Sequence, residues 1–291
     1  MADFLKKILW ATDFSEESEE AFAWANLFAR VYNSSLIALH VVPDFSPFLY
    51  RDSYLIGEEL RQRVTELRNE AAKRLERFQS AKKASYKIFI KEGTPAKKIV
   101  ETAEEENADL IVMGRKGLSA LEKLLIGSVA NQVLRSTSVP VLVTKKRKKK
   151  RLIKKILVPT DFSPQEEIER DFAWKLARGF GAELIFLHVL ELHDYEFSPR
   201  VLDEMFKALM TRLKKRRKKE GEDIKVSEEV VRAVNAALGI VEFAEEKEVD
   251  LIVLSTYVQS HLERFFLGST TEKVISHSTL PVFAIPPERK K

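Results

Sequence analysis

The sequence predicts an α/β protein of two tandem domains, each a parallel sheet with helices on both faces. Three observations predict it. The length of 291 residues exceeds the usual single core. A long internal repeat divides the chain, and within each copy short apolar runs alternate with stretches of helical periodicity.

The repeat is read directly. Lys6-Lys-Ile-Leu-Trp-Ala-Thr-Asp-Phe-Ser15 returns as Lys154-Lys-Ile-Leu-Val-Pro-Thr-Asp-Phe-Ser163, and Leu36-Ile-Ala-Leu-His-Val41 as Leu184-Ile-Phe-Leu-His-Val189. Further on, Asp109-Leu-Ile-Val-Met113 pairs with Asp250-Leu-Ile-Val-Leu254, and Val139-Pro-Val141 with Leu280-Pro-Val282. A repeat this long is a duplicated domain rather than one unit of a solenoid. The expected boundaries are residues 1–146 and 154–291, joined by a basic linker at 147–153.

In the first copy strands are expected at Ile8 to Ala11, Leu36 to Val42, Ile88 to Ile90, Leu110 to Met113 and Val141 to Thr144. Helices are expected near 16–32, 57–80, 95–107 and 128–137. Ser15 is placed to cap the first of these. Strands that are apolar along their length and separated by helices imply a parallel sheet with right-handed crossovers. Such sheets bind ligands outside the carboxyl ends of their strands, where strand order reverses. Thr12-Asp13 and Met113-Gly114 fall at two such ends.

Composition narrows the chemistry. There is no Cys, which removes disulfides, thiol catalysis and thiolate metal sites. The net charge of +5 is a small surplus within 32% charged residues, so no polyanionic partner follows from it. The surplus is local, in Lys145 to Arg151 between the copies and in Arg212 to Lys219. The first run reads as a solvated linker, and neither carries the interleaved aromatics that base stacking needs, which argues against nucleic acid. With no apolar stretch of about 18 residues and no apolar segment behind the first charges, a cytoplasmic protein without a membrane span is expected.

The strongest functional signal is a set of glycines. Gly114 and Gly117 close the fourth strand, and Gly127-Ser128 opens a helix nine residues later. A backbone approaching an anion closely needs residues without Cβ, and a helix start offers unpaired N–H groups, so the set reads as a phosphate cradle. No Gly-x-Gly-x-x-Gly follows the first strand and no Gly-x4-Gly-Lys-Ser/Thr occurs, which sets aside dinucleotide dehydrogenases and P-loop ATPases. His40 and His188 hold equivalent strand positions and read as partly buried structural residues, and the five His residues form no ligand-spaced cluster.

These residues resemble the universal stress protein family, specifically its tandem members. The resemblance rests on Thr12-Asp13, on Gly93-Thr94-Pro95 before a helix, on the Asp109 to Met113 strand and on the glycine spacing. It implies Rossmann-like domains with five parallel strands each and an ATP-binding, stress-response or regulatory protein, with AMP or ADP as alternatives and Mg2+ held by the phosphates. It implies that Thr12, Asp13 and Val41 flank the adenine and ribose, that Met113, Gly114 and Gly117 wrap the ribose and phosphates, and that Gly127, Ser128 and Val129 hold the phosphate tail; Arg115 and Lys116, at loop positions the motif leaves free, are expected to add charge. It also implies domain pairing through the last strands, here within one chain. Homo-oligomerisation is left open.

Each residue also has a plainer reading: Asp13 as a helper in starting a helix, Ser128 as an N-cap. Binding is better supported than turnover, which would be at most slow hydrolysis or autophosphorylation at Ser128. Two rivals are kept: an ATPase or adenylating enzyme of related architecture, and a nucleotide-free module binding acidic partners through its basic runs. In the second copy Gly114 becomes Ser255 and Gly117 becomes Val258, while Gly268-Ser269 persists. Ser269 and Glu272 read as a capping box that would occupy the helix start, and Ser163, Pro164 and Glu166 as another. The expectation is one competent nucleotide site, in the first domain, beside a degenerate partner retained for pairing.

Overall fold

The computed structural model of the chain describes residues 4–43, 54–117, 126–146, 151–163, 166–192, 197–215, 224–256 and 267–287. It divides into two compact units, with the break between Lys146 and Arg147.

In the first unit β1 (Lys7–Ala11), β2 (Ser35–Val42), β3 (Lys87–Glu92), β4 (Leu110–Gly114) and β5 (Val141–Thr144) alternate with α1 (Glu16–Tyr32), α2 (Tyr54–Lys82), α3 (Pro95–Glu105) and α4 (Ser128–Ser136). The strand order is β3-β2-β1-β4-β5 and every pairing is parallel. Trp10 lies between Ala38 and Val112 in the register. Strand order therefore reverses between β1 and β4, the position where such sheets open a crevice.

Burial explains which segments became central strands. Every residue of β4 and β5 is buried, as are the last four of β1, and no polar side chain on them needs solvent. The outer strand β3, Lys-Ile-Phe-Ile-Lys-Glu, is half-exposed, so it extends beyond the expected apolar triplet into charged ends. Charged side chains on an outer strand also discourage edge-to-edge pairing. The α1 helix starts at Ser15, whose side chain accepts from Ser18 N at 3.2 Å, and three glutamates follow in its first turn. It stops at Asn33 (φ 56°), a residue type that tolerates the left-handed region.

The core of this unit is aromatic. Trp10 packs against Phe22, Phe78 and Tyr86 with ring centroids 4.9, 5.5 and 5.9 Å away. The polar ends of these rings are satisfied: Trp10 Nε1 donates to Ser18 O (2.7 Å), Trp24 Nε1 to Glu20 Oε1 (3.0 Å) and the Tyr86 hydroxyl to Leu75 O (2.8 Å). Burial pushes the Tyr86 phenol up to about 12.

The second unit repeats the plan. It comprises β6 (Lys155–Pro159), α5 (Glu166–Phe180), β7 (Glu183–Glu191), α6 (Pro199–Lys215), β8 (Val226–Ala233), α7 (Ala236–Glu246), β9 (Leu251–Ser255), α8 (Ser269–His277) and β10 (Val282–Ile285). Its strand order is β8-β7-β6-β9-β10, again all parallel. Where the first unit enters α3 through Gly93 (φ 137°), Thr94 and Pro95, the second uses Val234 and Asn235, and Asn235 caps α7 by accepting from Leu238 N at 2.9 Å. Among the described residues no helix is long and apolar enough to cross a membrane.

Leu75 is fully buried and ties α2 to the aromatic cluster. Leu75→Ala should destabilise the first unit by about 2–5 kcal/mol. The check is urea unfolding in a Trp174→Phe background, where fluorescence reports only Trp10 and Trp24; a loss under about 1 kcal/mol would remove α2 from the core.

Candidate functional site

The site begins at the turn after β1. Thr12 is buried; its hydroxyl accepts from Phe14 N (3.0 Å) and lies 3.0 Å from Ser18 Oγ, while its carbonyl accepts from His40 Nδ1 (2.8 Å). Asp13 Oδ1 accepts from Ser15 N at 3.0 Å. These bonds hold Phe14 at φ 66°, a conformation that a bulky residue adopts only under constraint. The Phe14 ring lies 4.5 Å from the His40 ring, and the Arg74 guanidinium of α2 sits 4.3 Å above it. His40 is thus the structural residue expected. A carbonyl only accepts, so the Nδ1 position carries the proton, and burial lowers the pKa of the ring.

The glycine loop lies across this turn. Arg115 N donates to Thr144 O (2.7 Å) and Lys116 N to Glu17 Oε2 (2.7 Å), so β5 and α1 anchor the loop from two sides. Neither Gly114, Gly117 nor Gly127 has a positive φ, so close approach, not backbone freedom, calls for glycine. A Cβ on Gly114 would stand 3.0 Å from the Glu17 backbone and 3.1 Å from Ser18 N, so this glycine lets α1 lie against β4. A Cβ on Gly117 would run into Asp13 Oδ2, and one on Gly127 would stand 3.1 Å from Arg115 O. Together these contacts gather Asp13, Gly117 and Gly127 at the carboxyl ends of β1 and β4.

The start of α4 closes the arrangement. Gly127 N donates to Arg115 O at 2.8 Å. The N-cap is Gly127, and no side chain caps the helix; Ser128 is exposed at the first helical position. The N-cap reading of Ser128 is therefore corrected by one residue: the cap position needs extended backbone, and Gly127 supplies it at φ −61°, ψ 149°. The first-turn N–H groups, Val129 among them, have no intrahelical carbonyl to meet. Of the remaining expected residues, Val41 is half-exposed on β2 and Met113 is buried at 5% exposure.

Charge around the loop is mixed. Arg115 is 2% exposed, so it reaches the site through its backbone; burial works against its charge and Glu17 supports it. Burial also lowers the pKa of Lys145, reinforced by the nearby Arg115 charge. Sequence reasoning missed Glu17, Arg74 and Thr144. A glutamate in a helix's first turn reads as a partner of the helix dipole, and nothing in the sequence pairs it with a backbone N–H ninety-nine residues away.

The second unit repeats the turn closely. Asp161 Oδ1 accepts from Ser163 N (2.8 Å), Thr160 O accepts from His188 Nδ1 (2.8 Å), Phe162 has φ 61°, and Arg212 lies 4.2 Å above its ring. Both capping-box expectations need correction here. Asp161 holds the Ser163 N–H where Glu166 was expected to, and Pro164 lies outside the described residues. In α8 the N-cap is Gly268 with no side-chain cap, so Ser269 sits one position too late to form a box with Glu272. Thr271 instead donates to Ser255 O at 2.7 Å. Val258 lies outside the described residues, as do residues 147–150 and 216–219 of the two basic runs.

The sequence model of the Universal stress protein family matches residues 5–145 and again 152–286. Universal stress protein MJ0531 of Methanocaldococcus jannaschii is 39% identical over 144 residues, covering 50% of this chain and 84% of that one. Universal stress protein Rv2005c of Mycobacterium tuberculosis is 28% identical over 290 residues, covering 94% and 95% of the two chains. The crystal structure of a universal stress protein from Archaeoglobus fulgidus matches with a TM-score of 0.70 at 25% identity, covering 97% of this chain and 98% of that one.

The two loop glycines should respond differently to a methyl group. Gly114→Ala presses on the α1 backbone and should cost about 1–3 kcal/mol in the first unit's unfolding transition. Gly117→Ala meets a side chain, and its loss, about 1 kcal/mol, should vanish when Asp13→Ala is combined with it. Equal costs for the two, or additivity of the Asp13 and Gly117 changes, would contradict this assignment.

Proposed function

The chain belongs to the universal stress protein family, and from that premise we propose that it binds one adenine nucleotide, in its first unit, and acts as a nucleotide-responsive regulator in a stress response. The observation that carries the reading is the exposed, uncapped start of α4 beside the Arg115–Gly117 loop. Unpaired N–H groups at a helix start suit phosphate oxygens, and a Gly127 or Gly117 side chain would take up the space between helix, loop and Asp13. The residues present therefore fit a phosphate-bearing ligand.

Within this reading Asp13 and Val41 border the base and ribose, the Gly114–Gly117 loop wraps ribose and phosphates, and Ser128 and Val129 receive the terminal phosphates. Lys116 and Lys145 add positive charge on the loop side. The triphosphate supplies a large negative charge when bound, and Mg2+ travels with it. Among the described residues no three metal-ligating side chains cluster. Binding rather than turnover is proposed, because holding a phosphate does not by itself align a nucleophile with it. The second unit is assigned to pairing through β10 with β5, which would remove two open sheet edges.

The test begins with denaturing freshly purified protein and identifying any released nucleotide by mass spectrometry. Calorimetric titration of nucleotide-stripped protein with ATP should then give one site per chain. Gly117→Val should weaken it by more than about tenfold, and Val258→Gly should leave it unchanged. Two equal sites, or none, would sink the proposal.

A further inference from the structure

The second unit holds a cavity of about 400 Å³ at the carboxyl ends of β6, β7 and β9, beside the start of α8. Pro159, Leu187, Val189, Ile240 and Leu254 give it an apolar wall. Asp161, Glu169 and Glu191 also line it, and no Lys or Arg does among the described residues. Glu169 is 5% exposed, and its Oε1 is buried without a hydrogen-bond partner. The neighbouring Arg170 serves Glu166 instead, at 3.7 Å.

Pairing the two copies shows how this charge arose. Glu169 and Glu191 stand where the first copy has Ala21 and Pro43, while Thr256 and Pro286 stand where it has Arg115 and Lys145. At these four positions two cations are lost and two anions gained; nearby, Lys116 gives way to Tyr257, Glu17 to Gln165 and Phe22 to Arg170, around a turn whose backbone bonds are otherwise repeated. A polyphosphate would meet repulsion here. A positive group would meet a carboxylate in a poorly solvated place, where attraction is strong.

We propose that the second unit's cavity binds a small organic cation, its ammonium group on Glu169 and its apolar body against Leu187, Ile240 and Leu254. Burial, with the charges of Glu166 and Asp161, raises the Glu169 pKa well above the carboxylate range, opposed by a hydrogen bond from Ser255. An arriving ammonium favours the ionised carboxylate, so its binding is linked to proton release. Among the described residues, the other titratable or charged groups around it are Arg170 on α5 and His188 and Glu191 on β7. The assignment is independent of nucleotide binding in the first unit.

The experiment uses the full chain and three probes of one shape: tryptamine, tryptophol and indole-3-propionate. Calorimetry should show tryptamine binding at least about tenfold more tightly than tryptophol, with no saturable binding of indole-3-propionate. Titrations in buffers of different ionisation enthalpy should show proton release with tryptamine alone. Methyl NMR should move Ile240 and Leu254 with tryptamine and not with ATP. Glu169→Gln should remove both the preference and the proton release.

The variant should fold. A carboxyl whose folded pKa is raised costs stability once pH climbs above its unfolded value near 4.5, so Glu169→Gln should raise the melting temperature at pH 7 and lose that advantage below pH 4.5. Equal binding of tryptamine and tryptophol overturns the proposal. So does movement of Ile240 and Leu254 by ATP or indole-3-propionate, an unchanged preference in Glu169→Gln, or absence of saturable binding by tryptamine.

Discussion

The site in each unit depends on one strained turn after the first strand. Phe14 and Phe162 have φ of 66° and 61°, which costs about 1–3 kcal/mol for a bulky side chain. The cost is offset locally. A threonine hydroxyl takes the N–H of the phenylalanine, an aspartate takes the N–H of the serine after it, and a histidine donates to the threonine carbonyl. An arginine above each ring keeps it in place. The turn sends the chain sharply from β1 into α1, and so sets where Glu17 stands. Glu17 in turn holds the glycine loop through Lys116 N. Loss of the bonds that hold this turn would therefore disturb a loop that lies about a hundred residues further along the chain.

Much of this was legible in the sequence because it follows from local chemistry. Apolar runs between helical stretches gave the strands of both sheets, and the repeat gave the second unit from the first. Ser15 was correctly read as a cap because a serine before three acids and an apolar face has few other uses. Helix starts at glycine were read less well. Ser128 and Ser269 each follow a glycine, and sequence rules favour the side chain that can cap; the backbone instead places the glycine in the extended cap position. Long-range bonds such as Lys116 N to Glu17 leave no sequence period to detect.

The three glycines of the first unit's motif also turned out to have separate reasons. Gly114 faces helix backbone, Gly117 faces the Asp13 carboxylate, and Gly127 faces the loop itself. Gly114 is buried, Gly127 half-exposed and Gly117 exposed, so the last two combine a structural constraint with an open face. A motif defined by spacing mixes these causes, because close approach to protein and close approach to phosphate both select against Cβ. That mixture explains how the second unit keeps a similar fold with Ser255 at the position of Gly114: Ser255 is half-buried, and its carbonyl is held by Thr271.

Charge could diverge between the units because the fold does not rest on it. The strand ladders and the bonds of the strained turn recur in both units although these side chains differ: Glu191 keeps a place beside Ala233 in the ladder and accepts from Ala236 N, and Thr256 N donates to Ile285 O as Arg115 N donates to Thr144 O. Replacing a buried alanine with Glu169 lowers stability near neutral pH, since burial favours the protonated carboxyl. A mutation that only made the second unit inert would gain nothing by introducing that cost. A buried acid at the wall of a cavity, with exposed Asp161 and Glu191 at its rim, instead has the form of a site whose cost is recovered when a positive charge arrives.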